Sequence, residues 1–374
     1  MKITSAAPSV SKKEIKMVHK AISTGWGSKM NYYINLFSKK FSKYIGVKYC
    51  LPVAHCTDAI HLALLSLDIK KGDEVIVPDL SWVASAAPIK YVGAKPVFVD
   101  IDEDSLCIDH KKIEKKITKK TKAIISVNLF GNLANNSKIK KICKKNKIFF
   151  IEDSAESLGA KYKGKMSGSF GDISLFSFNA TKLIMSGQGG CLCTNNKKIY
   201  ERAKLFSHHG INKNKTGKYY WSSLLGYNYN WTNIQAACAL GQLERIGSFL
   251  KYKKKVFLLY KKYFSKISNV EITKLSKEYT QTFWIVYAKY NKKINKEDFC
   301  SSFKKYNIDM RPMFYQISSM PPFKDKKSIL ENKNANNISK YAVCLPNGYN
   351  LNENKIKKIC KVFDAILNKK KNKK

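Results

Sequence analysis

Tyr49-Cys-Leu-Pro-Val-Ala54, then His55-Cys-Thr-Asp58, then Ala59-Ile-His-Leu-Ala-Leu-Leu-Ser-Leu67 is the stretch from which the architecture can be read. Its first six residues are an apolar run of strand length. Its last part has helical length, and Ala59, Ile60, Leu62, Ala63, Leu64 and Leu67 leave Asp58–Leu67 apolar nearly all round. A helix of that composition is buried. A short apolar strand feeding such a helix belongs to a sheet covered on both faces.

Outward from this stretch the alternation repeats. Further strand candidates lie at Glu74–Val77, Val97–Val99, Ala123–Val127, Ile148–Ile151, Ile173–Phe176 and Gly190–Thr194, with a helical stretch at Ser137–Asn146. The pattern predicts an α/β fold built on a large, mostly parallel sheet. From about Thr232 to Tyr263 it turns helical and long, which reads as a connecting helix. That helix divides the chain into a large domain, residues 1–248, and a smaller C-terminal α/β domain, residues 249–374, on which the first residues can pack. The smaller part has strand candidates at Phe283–Lys289 and Ile308–Met310 and helices at Lys296–Tyr306 and Leu351–Leu367.

Composition narrows the function classes. With 374 residues, 44% hydrophobic and 12% aromatic, the chain can bury a sizeable core, which excludes wholesale disorder. No run approaches the ~20 apolar residues of a membrane-spanning helix, and the first residues lack the apolar core of a secretory signal. A soluble, cytoplasmic protein is expected. Lys and Arg number 69 against 27 Asp and Glu, a net charge of +42. The basic residues are overwhelmingly Lys and are spread through every segment beside Asn and Ile, as an AT-rich genome would produce. Nucleic acid is therefore not the expected partner, because a binding face concentrates Arg and aromatics on one element. The field should instead steer small anions inward. The tail after Leu367, Asn-Lys-Lys-Lys-Asn-Lys-Lys, reads as a solvated, disordered end. The ten cysteines include no C-x-x-C pair, and nothing near Cys191 and Cys193 in sequence completes a zinc set, so no metal site is expected.

Ligands of an open α/β sheet bind outside the carboxyl ends of its strands. After the first strand, Thr57 and Asp58 open the buried helix, where free N–H groups can take an anion such as phosphate or simply receive ordinary caps. Glu152-Asp153-Ser154-Ala155-Glu156 follows another strand and offers a carboxylate to a ligand or a cap to the next helix. The sharpest segment is Ser174-Leu-Phe-Ser177-Phe-Asn-Ala-Thr-Lys182, followed by Ser186-Gly-Gln-Gly-Gly190. A Lys held in a loop between two apolar strands can be deprotonated and form a Schiff base. Dinucleotide, P-loop and nucleophile-elbow motifs are absent, and His208-His209 has no companion at metal spacing. An anion cradle, a strand-end acid and a loop Lys are the three things pyridoxal phosphate needs.

Several ordered segments then carry a resemblance. They include Thr57-Asp-Ala-Ile-His-Leu-Ala-Leu, Gly72-Asp-Glu-Val-Ile-Val-Pro, Pro96-Val-Phe-Val-Asp, Ile151-Glu-Asp-Ser-Ala-Glu-Ser-Leu-Gly-Ala, Gly171-Asp-Ile-Ser-Leu-Phe-Ser-Phe, Gly226-Tyr-Asn-Tyr and Thr232-Asn-Ile-Gln-Ala-Ala. Across nearly its whole length the chain resembles the nucleotide-sugar aminotransferases of the DegT/DnrJ/EryC1/StrS family, which have the aspartate aminotransferase-like (type I) fold. The resemblance implies that Lys182 forms the Schiff base and shuttles a proton, and that Asp153 pairs with the pyridinium nitrogen. It implies that Trp82 stacks on the ring and that Glu156 lies beside the ring hydroxyl. Cys56, Thr57 and Ser177 would hold the phosphate, with Asn228 reaching it from the other subunit of a homodimer that shares its active sites. The cofactor would pass through its pyridoxamine 5'-phosphate form.

Met310-Arg-Pro-Met-Phe-Tyr, Met320-Pro-Pro-Phe and Lys218-Tyr-Tyr-Trp look most like the perosamine-forming members. Those move an amino group from L-glutamate to C4 of a GDP-linked 4-keto-6-deoxy sugar. The viosamine-forming members, on dTDP- or UDP-sugars, share much of this pattern, and transfer to C3 is a further alternative. A catalytically idle, basic binding protein is the alternative from another class. Trp26 and Arg311 are substrate candidates. The chain departs from the family at Cys56, where Gly is usual, at Gln188 for Glu, at Asn230 for Arg, and at Gln316-Ile-Ser for Pro-x-His.

Overall fold

A computed structural model describes residues 2–212, 216–291 and 294–368. The strands in chain order are β1 Tyr49–Val53, β2 Glu74–Pro78, β3 Lys95–Val99, β4 Thr121–Val127, β5 Phe149–Asp153, β6 Lys161–Tyr162, β7 Lys165–Met166, β8 Ile173–Ser177 and β9 Gly190–Thr194. After them come β10 Val270–Ile272, β11 Tyr279–Thr280, β12 Tyr287–Tyr290, β13 Arg311–Pro312 and β14 Ala342–Cys344. The main sheet has seven strands in the order β1-β9-β8-β5-β4-β2-β3, and each coincides with a strand expected from sequence. Five pair in parallel, whereas β9 runs antiparallel to both β8 and β1. All of β9 and most of β8 are buried at successive residues, so both faces of the sheet are covered. The helix Cys56–Ser66 has buried residues on every side. The fold is α/β.

The remaining strands form a four-stranded sheet, β10-β12-β14-β13, and a small sheet, β11-β6-β7. Two apolar cores result. The helix Ile246–Phe264 contributes Ile246 and Phe249 to the first, and Val256, Phe257, Tyr260 and Phe264 to the second. Ile3 joins the second core, through a bridge to Ile308.

Several sequence expectations need correction. The long helix is two helices, Asn233–Leu243 and Ile246–Phe264. They break at Glu244-Arg245, where Arg245 leaves helical backbone geometry and its guanidinium turns to Glu14 Oε1 at 2.6 Å. Glu14, 1% exposed, also accepts from Gln242 Nε2 at 2.9 Å and closes a capping box with Ser11. The strand expected over 283–289 is confined to β12. Phe283 has φ +51°, and Thr282, Phe283 and Trp284 crowd against Gly131. Ile308 forms an isolated bridge to Ile3 instead, and the strand begins at Arg311. The helix expected over 296–306 is Lys296–Ser301 followed by a separate turn, ended by Asn307 at φ +58°. Asn368, expected in the disordered tail, closes the helix Glu353–Asn368, and the rest of that tail lies outside the described residues.

A third thiol also joins Cys191 and Cys193. Pairing of β1 with β9 sets Cys50 opposite Cys193, and the three sulfurs lie within 4.8 Å of one another, all buried. Burial holds Cys191 and Cys193 well above the usual thiol range, whereas at Cys50 burial is outweighed by hydrogen bonds with Cys191, Cys193 and Ser38, which draw its thiol down to about 5. Among the described residues no helix is long and apolar enough to cross a membrane.

Candidate active site

The parallel strands deliver their carboxyl ends to one edge of the sheet, and β9 starts there. At β5 the alternation of a strand separates two adjacent acids. Glu152 faces inward and is fully committed: it accepts from Asn128 Nδ2 at 2.9 Å, Gly168 N at 2.8 Å and Phe170 N at 2.9 Å. Asp153 faces the edge. Its Oδ2 accepts from Ser85 Oγ at 3.0 Å and its Oδ1 from Ala155 N at 3.1 Å, leaving lone pairs on both oxygens. Burial pushes its carboxyl up to about 6, against the opposing pull of those two bonds.

Lys182 lies in the loop between β8 and β9. Its Nζ stands 3.1 Å from Glu156 Oε1 and 3.9 Å from the centroid of the Trp284 ring. Glu156 is fixed by its other oxygen, which accepts from Phe130 N at 3.1 Å. Aromatic rings continue from this point: Trp284 to Phe130 at 6.3 Å, Phe130 to Phe314 at 5.4 Å, and Phe314 to Trp82 at 6.0 Å. Trp82 is 59% exposed and presents an open face.

The helix Cys56–Ser66 begins without a side-chain cap. Asp58, an obvious capping acid in sequence, instead meets His55 Nδ1 at 3.0 Å. The first-turn N–H groups of Cys56 and Thr57 are therefore left for a ligand. Gly190 makes room for that turn: a Cβ there would lie 2.5 Å from Cys56 N and 2.6 Å from His55 C. Ser177 is the register partner of Gly190, so its hydroxyl flanks the same point. Cys56 stands where a glycine is usual, and the close approach is supplied from across the sheet. Burial and the Asp153 carboxylate hold its thiol well above the ordinary range, so it stays neutral.

Not every candidate joins the cluster. Asn228 is exposed and accepts from Asn230 Nδ2 at 3.1 Å, in a segment tied to the end of β1 through Ala54 N and Tyr229 O at 2.9 Å. Trp26 is 63% exposed, its indole N–H donating to Ile22 O. Arg311 is exposed and borders a cavity of about 30 Å³ with Thr181 and Trp284, beside the Lys182 loop. Gln316, the departure from Pro-x-His, is buried and clasps the residue that follows β2: its Nε2 donates to Asp79 Oδ2 at 2.9 Å, which also accepts from Asn332 and Ser318. Sequence reasoning missed Ser85, Phe130, Trp284 and the contact made by Gly190. The aromatic residues and the serine carry no local motif, and only the glycine-rich spacing before β9 hinted at a close approach.

Pyridoxal phosphate fits this donor set. The uncapped helix start and the Gly190 gap suit a phosphate, the free lone pairs of Asp153 suit a ring N–H, and Lys182 is within reach of both. Comparison with known proteins points the same way. A sequence model of the DegT/DnrJ/EryC1/StrS aminotransferase family matches residues 8–364. The GDP-perosamine synthase of Escherichia coli O157:H7 is 40% identical over 85% of this chain and 86% of its own. That of Vibrio cholerae is 31% identical over 96% and 98%. The putative sugar aminotransferase Spr1654 of Streptococcus pneumoniae, in its PMP form, superposes with a TM-score of 0.90 at 25% identity, covering 98% of each chain; its PLP form gives 0.89.

Proposed function

Because this chain belongs to the DegT/DnrJ/EryC1/StrS aminotransferase family, and is thus a pyridoxal phosphate-dependent sugar aminotransferase, we propose that it aminates C4 of a nucleotide-linked 4-keto-6-deoxy sugar. L-glutamate is the donor and a GDP-linked sugar the acceptor, as in perosamine formation. The convergence of Lys182, Glu156 and Asp153 at one sheet edge carries the reading of the chemistry. The relatives named GDP-perosamine synthase support the choice of acceptor.

The bound cofactor supplies an aldehyde that takes up amines as a Schiff base and a ring that withdraws electrons. The chain's own groups do the rest. Lys182 Nζ would be the group that carries a proton from one carbon to another, and Glu156, 3.1 Å away, holds it within reach. Asp153, whose carboxyl burial pushes up to about 6, is ionised at neutral pH and would keep a proton on the ring nitrogen. The exposed Trp82 would stack on the cofactor ring. Cys56 and Thr57 N–H groups and the Ser177 hydroxyl would hold its phosphate. Asn228, exposed in its own chain, is assigned to the phosphate of a second copy in a homodimer with shared sites. Trp26 and Arg311 are assigned to the nucleotide sugar, and the cytoplasm is the proposed compartment.

Two measurements test this reading. Lys182→Ala should lower turnover by more than about a thousandfold, and wild-type turnover in that variant would defeat the assignment. Separately, the protein is converted with glutamate, freed of excess, and given GDP-4-keto-6-deoxymannose. Return of the long-wavelength cofactor absorbance identifies a GDP-sugar acceptor. Without that return the acceptor is a dTDP- or UDP-linked sugar, and product analysis then separates C4 from C3.

A further inference from the structure

We infer that Trp284 is a positioning residue for Lys182: its indole face is the seat on which the lysine ammonium rests whenever the amine is not bonded to cofactor. The inference rests on the reading of Lys182 as the reacting amine and adds a residue that this reading does not contain. Lys182 Nζ sits 3.9 Å from the ring centroid, well inside the range in which an ammonium is attracted to an aromatic face. The site is largely closed, since the Lys182 side chain is 14% exposed and Trp284 6% exposed, and such attractions strengthen as water is removed.

The indole is not a loose neighbour. Its Nε1–H donates to Thr181 O at 2.8 Å, which ties the ring to the residue just before the lysine. Its own backbone carbonyl accepts from Asn347 Nδ2 at 2.9 Å and Lys253 Nζ at 3.5 Å. The amine's other neighbour, Glu156 at 3.1 Å, is held by Phe130 N, and the Phe130 ring lies 6.3 Å from the indole. Carboxylate and ring therefore both hold the amine, each anchored by its own hydrogen bonds. A long side chain with many rotamers is confined to one, so the amine returns to the same place between bond-forming events.

The test uses the protein loaded with pyridoxamine phosphate, in which the Lys182 amine is free. Trace acetylation with acetic anhydride, followed by peptide mass spectrometry, gives labelling of Lys182 relative to exposed Lys115. Trp284→Met, which fills much of the space but removes the ring, should raise that ratio by about threefold to tenfold. Trp284→Phe, which restores a ring face, should return it to within about twofold of wild type. An unchanged ratio in a folded Met variant overturns the proposal, because Glu156 alone would then hold the amine.

Should the Met variant fail to fold, the wild-type protein supplies a second readout. Reductive ¹³C-methylation places a probe on Lys182, assigned by its loss in Lys182→Arg. A signal shifted upfield of the other lysines shows the ring beneath it, and a signal among the others overturns the proposal. Borohydride reduction of the pyridoxal-loaded protein is read separately. Pyridoxyl on a lysine other than 182 would sink the functional reading while leaving the Trp284 result to stand by itself.

Discussion

Asp153 holds its proton more tightly in the folded chain than an exposed aspartate does, with a carboxyl near 6 because burial outweighs its two hydrogen bonds. Between its ordinary range and about 6 the native state binds a proton that the unfolded state has released. The contribution to stability is therefore greatest at low pH and is lost as pH rises through that window. Above it the cofactor-free protein carries a buried charge. Asp153→Asn should then make the cofactor-free protein more stable than wild type by about 1–3 kcal/mol near neutral pH, with no difference near pH 4. With cofactor bound the order should reverse. Thermal unfolding at the two pH values, with and without cofactor, reads all four cases. Asp153 was legible as an acid ending an apolar strand, yet Glu152 is the same kind of residue one position earlier. Only strand alternation tells the ligand-facing acid from the structural one. Trp284 was not legible at all, since it meets Thr181 across 103 positions and such a contact leaves no local pattern.

At the scale of elements, the opening turn of the helix Cys56–Ser66 depends on what faces it. A side chain at Gly190 would press on the backbone at His55 and Cys56, which cannot swing aside as a flexible side chain can. Gly190→Ala should cost about 1–3 kcal/mol and weaken cofactor retention in equilibrium dialysis. Gly247→Ala is the control. Nothing lies within 4 Å of its added methyl, and helix propensity predicts a gain of up to about 1 kcal/mol. The strands were readable because short apolar runs bounded by polar turns have few other uses. The reversal of β9 was not, because the direction of a buried strand leaves no mark on its composition. The break at Arg245 was hidden for a related reason: the ion pair with Glu14 that goes with it joins residues 231 positions apart.

For the whole molecule, a net charge of +42 sets a field that the ligand meets before it meets any residue. Attraction of a nucleotide sugar should raise the rate of encounter and leave the bound chemistry alone. Accordingly kcat/KM should fall by about threefold to tenfold between low salt and about 0.5 M, with kcat nearly constant. Steady-state kinetics over a salt series checks this, and a parallel fall in kcat would point to screening inside the site instead.

The order of the main sheet has a consequence for how the protein is made. β1 has a single neighbour in the sheet, β9. A ribosome finishes β1 about 140 residues before it reaches the end of β9, an interval of roughly 7–30 s at ordinary translation rates. Throughout that time the apolar residues of β1 are synthesised but without the strand they pair with. Whatever chaperones attend the nascent chain must shield them until residue 194 emerges.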